Sequence, residues 1–225
     1  MANAVLPAPK SGDLEKEIRL PSMDTQSLNF LQFSISYLYR SGGEGDWKLL
    51  EDGSALRSGD HYKIIFTPDE DAYVYVFQID SANKIYQLFP MERFGDQILN
   101  NVNPVRAGKT YYIPAEGKSF VLDEQTGTET LYFLASRRRD TTIEYQYQKV
   151  AEQQKASVDP ERLLAELDEL LAYANRLQGA PSIVEQPEHG TRVVWKEAGE
   201  TFSVLQRRLE DMCDGCVHII RFEHQ

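Results

Sequence analysis

The alternation of apolar and polar residues from Gly59 to Pro90 constrains the fold of this chain more than any other feature. Apolar side chains recur at every second position through Tyr62–Phe66, and a polar turn at Pro68–Asp71 follows. Residues Ala72–Ile79 are then apolar on both faces, and a short loop leads into Ile85–Phe89. A period of two is that of a β-strand. We therefore predict a compact antiparallel β-domain with Ala72–Ile79 as a central strand.

A turn inside this stretch and short segments on both sides of it lead to further predictions. Asn83, in the loop before the third run, suits a left-handed turn residue that closes a hairpin. A polar loop is expected around Asn100–Asn103. Five further elements, most of them strands, are predicted at Leu31–Tyr39, Trp47–Leu50, Thr110–Ile113, Ser119–Leu122 and Thr130–Ala135. Short strands at this spacing favour a sandwich or an open barrel.

The period changes to that of a helix after residue 140. Thr141 and Glu144 have the spacing of a capping box, and Ile143, Tyr147 and Val150 recur on one helical face.

A second helix is predicted from Asp159, its N-cap, to the terminator Gly179, with Pro160 in its first turn. Its apolar stripe is single-sided and consists of Leu163, Leu167, Leu170, Leu171, Ala174 and Leu177. The stripe most simply packs on one face of the sandwich, and a partner from another molecule is the alternative.

The last part of the chain suggests a strand, a helix and a strand. Val193–Trp195 predicts a strand, and the spacing of Phe202, Leu205, Leu209 and Met212 predicts a helix. After a turn at Gly215, Val217–Phe222 predicts a strand that returns to the sheet.

The predicted fold class is α+β, a mostly antiparallel β-sandwich, immunoglobulin-like in general architecture, with packed C-terminal helices. Residues 1–27 are predicted to be a flexible N-terminal segment. Residues 28–225 are predicted to form a single β-sandwich domain with a helical insertion at about 140–178.

The composition excludes several classes of function. The 225 residues carry a formal net charge of -11, which repels nucleic acid. The basic cluster Arg137–Arg139 near Lys149 is interpreted as a solvated junction, with an anion patch as the alternative. No apolar run approaches the roughly 20 residues of a membrane span. The start of the chain lacks the features of a signal peptide but resembles the first residues of a mature exported protein.

Cys213 and Cys216 form the only motif with evident chemical potential. A c-type haem site would need histidine where Val217 stands. A thioredoxin-like pair belongs at a helix N-terminus, whereas this pair follows the predicted helix. His218 and His224 would lie about 20 Å apart along a strand at about 3.3 Å per residue, too far for one zinc ion. A local disulfide, two free thiols at a turn and another metal role remain open, and no metal ligand set is predicted.

Other sites have weaker signals. No G-x-S-x-G or H-E-x-x-H motif occurs, and no catalytic residue is predicted. The acidic turn Asp69–Asp71 lacks the alternating ligands of an EF-hand loop. Four strand tyrosines form a candidate platform for a carbohydrate or peptide, with ordinary cross-strand packing as the alternative: Tyr73, Tyr75, Tyr111 and Tyr112.

Several short motifs in the first half resemble the bacterial domain of unknown function 4384 family. They run in the family's order from Leu56 to Ser136 and are Gly59-Asp60, Tyr73-Val74-Tyr75-Val76-Phe77, Asp80, Leu88-Phe89-Pro90, Ala107-Gly108, Tyr111 and Ile113-Pro114. Asn83 stands where the family pattern leads us to expect glycine, and the link Met91–Val105 looks longer than usual.

The resemblance implies a β-sandwich-like accessory domain, often found in exported or envelope proteins or attached to signalling and protease domains. It carries over no catalytic residues and no cofactor. We therefore expect a non-enzymatic binding or interaction module of a bacterial envelope or secreted protein, periplasmic or otherwise exported, with a cytoplasmic location as the alternative. Its partner is expected to be a protein, with carbohydrate or peptide as further ligands. A carboxylate-based hydrolase assembled in space and a regulatory domain of a separate catalytic partner are the other hypotheses.

Overall fold

The computed structural model describes residues 30–156, 165–166, 168–173, 182–184 and 191–225. The first eight strands are β1 (Leu31–Arg40), β2 (Lys48–Leu49), β3 (Ser54–Leu56), β4 (His61–Pro68), β5 (Tyr73–Ile79), β6 (Ile85–Phe89), β7 (Met91–Phe94) and β8 (Gln97–Asn101). The next eight are β9 (Tyr111–Ile113), β10 (Phe120–Val121), β11 (Gly127–Ser136), β12 (Ser182–Val184), β13 (Arg192–Glu197), β14 (Glu200–Leu205), β15 (Arg207–Met212) and β16 (Cys216–His224). Helix α1 spans Thr141–Ala156, and 165–166 and 168–173 are also helical.

Two sheets form the body of the fold. Sheet A has the order β10-β4-β1-β15-β12, with β2 also paired to β1 and β9 to β4. Sheet B has the order β3-β16-β11-β5-β6, in which β3 and β16 are parallel and the other neighbours antiparallel. The predicted mostly antiparallel sandwich with a small helical part is confirmed. The last strand returns to sheet B, and β5 is an inner strand beside the middle strand β11.

The core lies between the facing sheets and is rich in aromatic rings. Phe33 and Phe66 of sheet A contact Phe133 of sheet B edge to face, with ring centroids 5.3 and 5.4 Å apart. All three rings are fully buried. They alternate along their strands with residues on the outer faces, so the two-residue period builds one shared interior.

Helical residues cover the outer face of sheet B. Ile143, Val150 and Leu170 are buried against a cluster that includes Phe77 and Tyr132. The packing predicted for the helices is therefore confirmed for the residues described. The segment 1–27, both ends of the second predicted helix and stripe residues Leu163, Leu167, Ala174 and Leu177 lie outside the described residues.

Helix α1 begins one residue earlier than the capping-box prediction required. The N-cap is Asp140, whose Oδ1 accepts hydrogen bonds from the backbone N–H groups of Thr142 and Ile143, both at 3.0 Å. Glu144 instead accepts hydrogen bonds from Arg139. Asp at the N-cap satisfies the first free N–H groups directly, so no reciprocal box is needed.

The β13–β14 hairpin covers the outer face of sheet A. Trp195 of β13 is buried there beside Leu38 and Ile65 of the sheet. The buried Lys63 of β4 forms an ion pair with Glu197 at 2.7 Å and also donates to the carbonyl of Glu116 at 2.8 Å.

The helix predicted from Phe202 to Met212 is wrong, because this segment forms β14 and β15. The strand β15 contains a bulge at Asp211, which has a φ of 58°. Leu209 pairs with Phe33 and Met212 with Leu31, so three steps on β15 oppose two on β1. A bulge therefore places two residues with helical spacing on the same face of a strand.

A second difference concerns the link Met91–Val105. It contains the β7–β8 hairpin, part of which falls in the region predicted to be a polar loop. Ile98 in this hairpin is among the most exposed large apolar residues described. Among the described residues no helix is long and apolar enough to span a bilayer.

Candidate functional site

A cleft of about 340 Å³ opens at one side of the sandwich, and we call it the edge cleft. It lies where β10 and β4 of sheet A meet β5, β6 and β11 of sheet B. Its principal lining residues are Tyr62, Gln78, Tyr86, Phe120, Glu129 and Tyr147. The volume is in the range of sites that hold a small molecule or one side chain of a larger ligand.

The floor of the edge cleft is a chain of hydrogen bonds across three strands. Tyr62 Oη donates to Gln78 Oε1, and Gln78 Nε2 donates to Glu129 Oε2 at 2.8 Å. The backbone N–H of Ser81 donates to Glu129 Oε1 at 3.4 Å. Gln78 is 8% exposed and Glu129 only 3%. A side chain in such a network is held in one rotamer, so the floor is ordered without a ligand.

Burial and neighbouring charges shift the pKa values of Glu129 and Tyr62 in the floor of the edge cleft. Burial raises the pKa of Glu129, while the hydrogen bonds from Gln78 and Ser81 lower it and the nearby Asp80 and Asp123 raise it again. Burial is also the main cause of the raised pKa of the Tyr62 phenol, with Glu129 as a further cause. The neutral acid form of Glu129 is therefore more favoured than that of an exposed glutamate.

The rim of the edge cleft is aromatic and in part open to solvent. Phe120 stacks on Tyr62 with ring centroids 5.0 Å apart and an interplanar angle of 29°. Phe94 packs edge-on against Phe120. Tyr86 is 42% exposed and Val121 56% exposed. Exposed rings beside ordered polar groups are the combination that binding sites use to orient a ligand.

A second cleft of about 500 Å³ shares Gln87 with the edge cleft, and we call it the second cleft. It is lined by Tyr73, Arg139 and Glu144, and the hydrogen bond from Arg139 lowers the pKa of the Glu144 carboxyl. Glu129 and Glu144 thus have pKa values shifted in opposite directions but line different clefts. They do not form the opposed pair that carboxylate-based hydrolysis needs.

The structure does not bring the four candidate tyrosines onto one surface. Tyr75 is buried beneath α1, where its hydroxyl donates to Glu144 at 2.8 Å, while Tyr73 lines the second cleft. Tyr111 lies in the core, stacked on Phe66 at 5.2 Å. Tyr112 packs with the residues beneath the β13–β14 hairpin. Successive residues of a strand point to opposite faces, so neighbouring tyrosines on β9 are separated by the sheet itself.

Cys213 and Cys216 flank the turn between β15 and β16. Their Cα atoms are 5.0 Å apart and their sulfur atoms are paired, a separation within the usual range for a disulfide. The pair follows strand β15 and not the predicted helix. The argument that a helix dipole disfavours a thioredoxin-like pair here therefore does not apply. A disulfide here remains a prediction that a mass measurement tests.

The two histidines near this turn have separate partners. His218 Nδ1 is hydrogen-bonded to the Tyr37 hydroxyl at 3.1 Å, and His224 Nε2 to the Ser58 hydroxyl at 3.0 Å. In the part of the chain that the structure describes, no group of three or more His, Cys, Asp or Glu residues is arranged to hold a metal ion.

Three of the four basic side chains in this cluster are paired with carboxylates. Arg137 contacts Glu70 at 2.6 Å, and Arg139 contacts Glu144 at 2.7 Å. Lys149 forms an ion pair with Glu166. This arrangement favours a charge-balanced junction over an anion-binding patch.

Sequence reasoning did not identify Tyr62, Gln78 or Glu129 as site residues. They lie far apart in the chain and meet only through the pairing of β4, β5 and β11. The available signal was a polar residue inside an otherwise apolar strand, as with Gln78 between Phe77 and Ile79. Such a residue needs a buried partner.

Comparison with known proteins finds one family. A family model described as Domain of unknown function (DUF4384) matches residues 55–139. No curated protein and no solved structure matches the chain. The matched segment runs from β3 to the residues just before α1 and supplies most of the edge cleft. Residues 55–139 thus match the DUF4384 family, as the motifs in the sequence indicated, and this family has no assigned function.

Proposed function

We propose that this protein is a non-enzymatic binding module that holds its ligand in the edge cleft. The observation that carries the proposal is the exposed aromatic rim over an ordered, hydrogen-bonded floor. The floor residues are fixed by strands of a rigid sandwich, so little ordering entropy opposes binding. An aromatic ring such as Tyr86 offers contact area at low entropic cost.

The arrangement supports binding more than catalysis. A nucleophile and its base need direct hydrogen-bond contact, with the base oriented by a third group. In the edge cleft the hydrogen bonds of Tyr62 and Gln78 connect phenol, amide and acid, none of which activates another as a nucleophile. The hydrolase hypothesis rests on the carboxylates that line the edge cleft, and turnover of a probe in the titration below would favour it.

We also propose that the module belongs to a bacterial envelope or secreted protein and that its partner is a protein. The motifs shared with the DUF4384 family support this context, because the resemblance implies accessory domains of exported proteins. Fractionation of the native host, with an antibody to this chain, tests it. Recovery in the cytoplasm alone would contradict it.

The binding proposal is tested by nuclear magnetic resonance titration of the isotopically labelled full chain. The probes are end-blocked Gly-Gly-X-Gly-Gly peptides with lysine, glutamine or glutamate at X, and a neutral tetramer of β-linked glucose. At least one probe is expected to shift signals of Gln78, Tyr86 and Phe120. If no probe perturbs the edge cleft, or if a probe is turned over by the protein, the proposal is wrong.

A pair of variants separates the cleft from the rest of the surface. The double variant Tyr86→Ala/Phe120→Ala removes rim rings, and we expect it to weaken binding at least tenfold, since ring contacts and their burial are lost together. Tyr145→Ala is the matched control, because Tyr145 is an exposed aromatic residue on α1 outside the cleft. Equal loss in both would show that binding does not use the cleft.

A further inference from the structure

We infer that the group entering the edge cleft is a cation, the ammonium or guanidinium of a basic side chain in a partner peptide. The inference rests on the proposed function and adds the chemical class of the ligand. Its basis is the charge of the cleft combined with its aromatic walls.

The residues that line the edge cleft carry charge of one sign only. Asp80, Asp123 and Glu129 are among them, and none is lysine, arginine or histidine. Asp80 and Asp123 are close enough to Glu129 to raise its pKa by like-charge repulsion. A bound cation offsets that repulsion, whereas an anion adds to it. A neutral ligand leaves it unchanged.

Besides the carboxylates, the aromatic walls of the cleft favour a cation. Tyr62, Tyr86, Phe120 and Tyr147 all line the cleft. The faces of aromatic rings attract ammonium and guanidinium groups, most strongly when the cation is partly desolvated. A metal ion is a poorer match, because no group of three or more potential metal ligands is found among the described residues.

The same chain already holds one of its own ammonium groups by this chemistry. Lys63 Nζ lies 5.3 and 5.2 Å from the ring centroids of Trp47 and Trp195 and 2.7 Å from Glu197. Rings, one carboxylate and the backbone carbonyl of Glu116 thus suffice to bury a lysine completely. In the edge cleft rings and carboxylates are present, and the lining contributes no cation of its own.

The surroundings of the cleft suit a peptide as the source of the cation. Strand β10 is the last strand of sheet A on this side, and its Val121 is largely exposed beside the cleft. An extended segment has room to lie along that edge and insert one side chain. The net charge of -11 also favours the approach of a basic segment.

The test compares four probes in the titration of the full chain. They are the end-blocked peptide Gly-Gly-Lys-Gly-Gly, the same peptide with acetyl-lysine, n-butylamine and the neutral glucose tetramer. The lysine peptide is expected to bind at least tenfold more tightly than the acetyl-lysine peptide and than n-butylamine. Its affinity is expected to rise with pH as Glu129 ionises, because the carboxylate attracts the cation and the neutral acid does not.

Variants assign the charge effect to the cleft. Glu129→Gln keeps the side-chain shape and removes the charge, and we expect it to weaken binding of the lysine peptide about tenfold. Glu44→Gln is the matched control on an exposed loop and is expected to change nothing. If Glu129→Gln fails to fold, Asp123→Asn at an exposed position serves instead, with an expected loss of about threefold.

The outcomes separate this inference from the proposed function. Equal binding of the lysine and acetyl-lysine peptides overturns the cationic ligand, as does binding of the glucose tetramer alone, and in both cases a binding cleft remains. Equal binding of n-butylamine and the lysine peptide assigns the site to a free amine and overturns the peptide. Absence of any cleft perturbation overturns the proposed function itself.

Discussion

The side-chain amide of Gln154 on α1 is hydrogen-bonded to both backbone groups of Ile85 on β6. The N–H of Ile85 donates to Gln154 Oε1 at 3.0 Å, and Gln154 Nε2 donates to the Ile85 carbonyl at 3.2 Å. The next outward N–H of the strand, that of Gln87, donates to the Tyr147 hydroxyl. Because β6 is the last strand of sheet B, α1 occupies the edge at which another strand would pair.

Substitution of Gln154 is expected to open this edge. Gln154→Ala removes two hydrogen bonds to backbone groups, and the free energy of unfolding should fall by about 2 kcal/mol. Self-association at high concentration should increase, since β6 then presents free N–H and C=O groups. Chemical denaturation and sedimentation velocity measure the two effects. Gln148→Ala, at an exposed position on the same helix, is the control, and similar behaviour of both variants would contradict the edge role.

The buried pair of Lys63 and Glu197 should be strongly coupled. Lys63→Met leaves the Glu197 carboxylate buried without its countercharge, which should cost about 3–5 kcal/mol of stability. The double variant Lys63→Met/Glu197→Gln should recover most of that loss, because the amide oxygen can accept from Trp195 while the amide NH2 donates to the Ser119 hydroxyl. Urea denaturation of the wild type, Lys63→Met, Glu197→Gln and the double variant gives the coupling energy.

Arg106→Met is the surface control for this cycle. Arg106 and Asp71 form an ion pair in which both side chains are largely exposed. Its loss should cost less than about 1 kcal/mol. If Lys63→Met lowers stability by no more than this, the Glu197 carboxylate becomes accessible to solvent when its partner is removed.

His218 should make the protein less stable in acid. Burial lowers its pKa from 6.5 to about 4, so the folded state keeps the ring neutral while the unfolded state binds a proton. Its stabilising contribution is therefore complete above pH 6.5 and is lost as the pH falls toward 4, by about 2 kcal/mol after allowance for partial exposure. Thermal unfolding between pH 4 and 7 should show a flatter profile for His218→Gln. An unchanged profile would assign the acid sensitivity to other groups.

Glu129 should have the opposite effect on stability. Its pKa is raised by burial, so the folded state binds a proton more tightly than the unfolded state. The penalty for ionising it in the fold appears as the pH rises from the unfolded value through the raised folded value. Relative to Glu129→Gln, the wild type should lose stability over that interval. If the stability of the two proteins depends on pH in the same way, the raised pKa of Glu129 is contradicted.

The cysteine pair is tested by mass. A disulfide predicts that Cys213 and Cys216 resist alkylation until reduced and that reduction adds the mass of two hydrogen atoms. Because the loop is short, Cys213→Ser/Cys216→Ser should lower stability by no more than about 2 kcal/mol. Alkylation of the unreduced, unfolded chain would favour free thiols.

The strands of the first half could be predicted because their periodicity is uninterrupted. Asn83, expected in a left-handed turn, has a φ of 57° and closes the β5–β6 hairpin. The second half was harder because the bulge at Asp211 gives a strand the spacing of a helix. The β7–β8 hairpin was missed since its exposed residues, such as Ile98, show no buried face.

The candidate site could not be predicted for a different reason. A local pattern reports which face of an element is buried, whereas the contact between Gln78 and Glu129 depends on which strands become neighbours. Tyr75 and Tyr111 illustrate the converse. Their aromatic pattern suggested an exposed binding surface. In the structure the Tyr75 hydroxyl is hydrogen-bonded to Glu144, and the Tyr111 ring is stacked on Phe66 in the core.

The order of the strands in the two sheets affects how the domain folds during synthesis and which gene segment can encode it. Strand β1 lies between β4 and β15, and β16 lies between β3 and β11, so both sheets have inner strands from outside residues 55–139. During synthesis β11 would have one side unpaired until β16 emerged from the ribosome. A gene fragment cut at the family boundaries would therefore encode two half-finished sheets, and the smallest transferable unit must include both distant flanks.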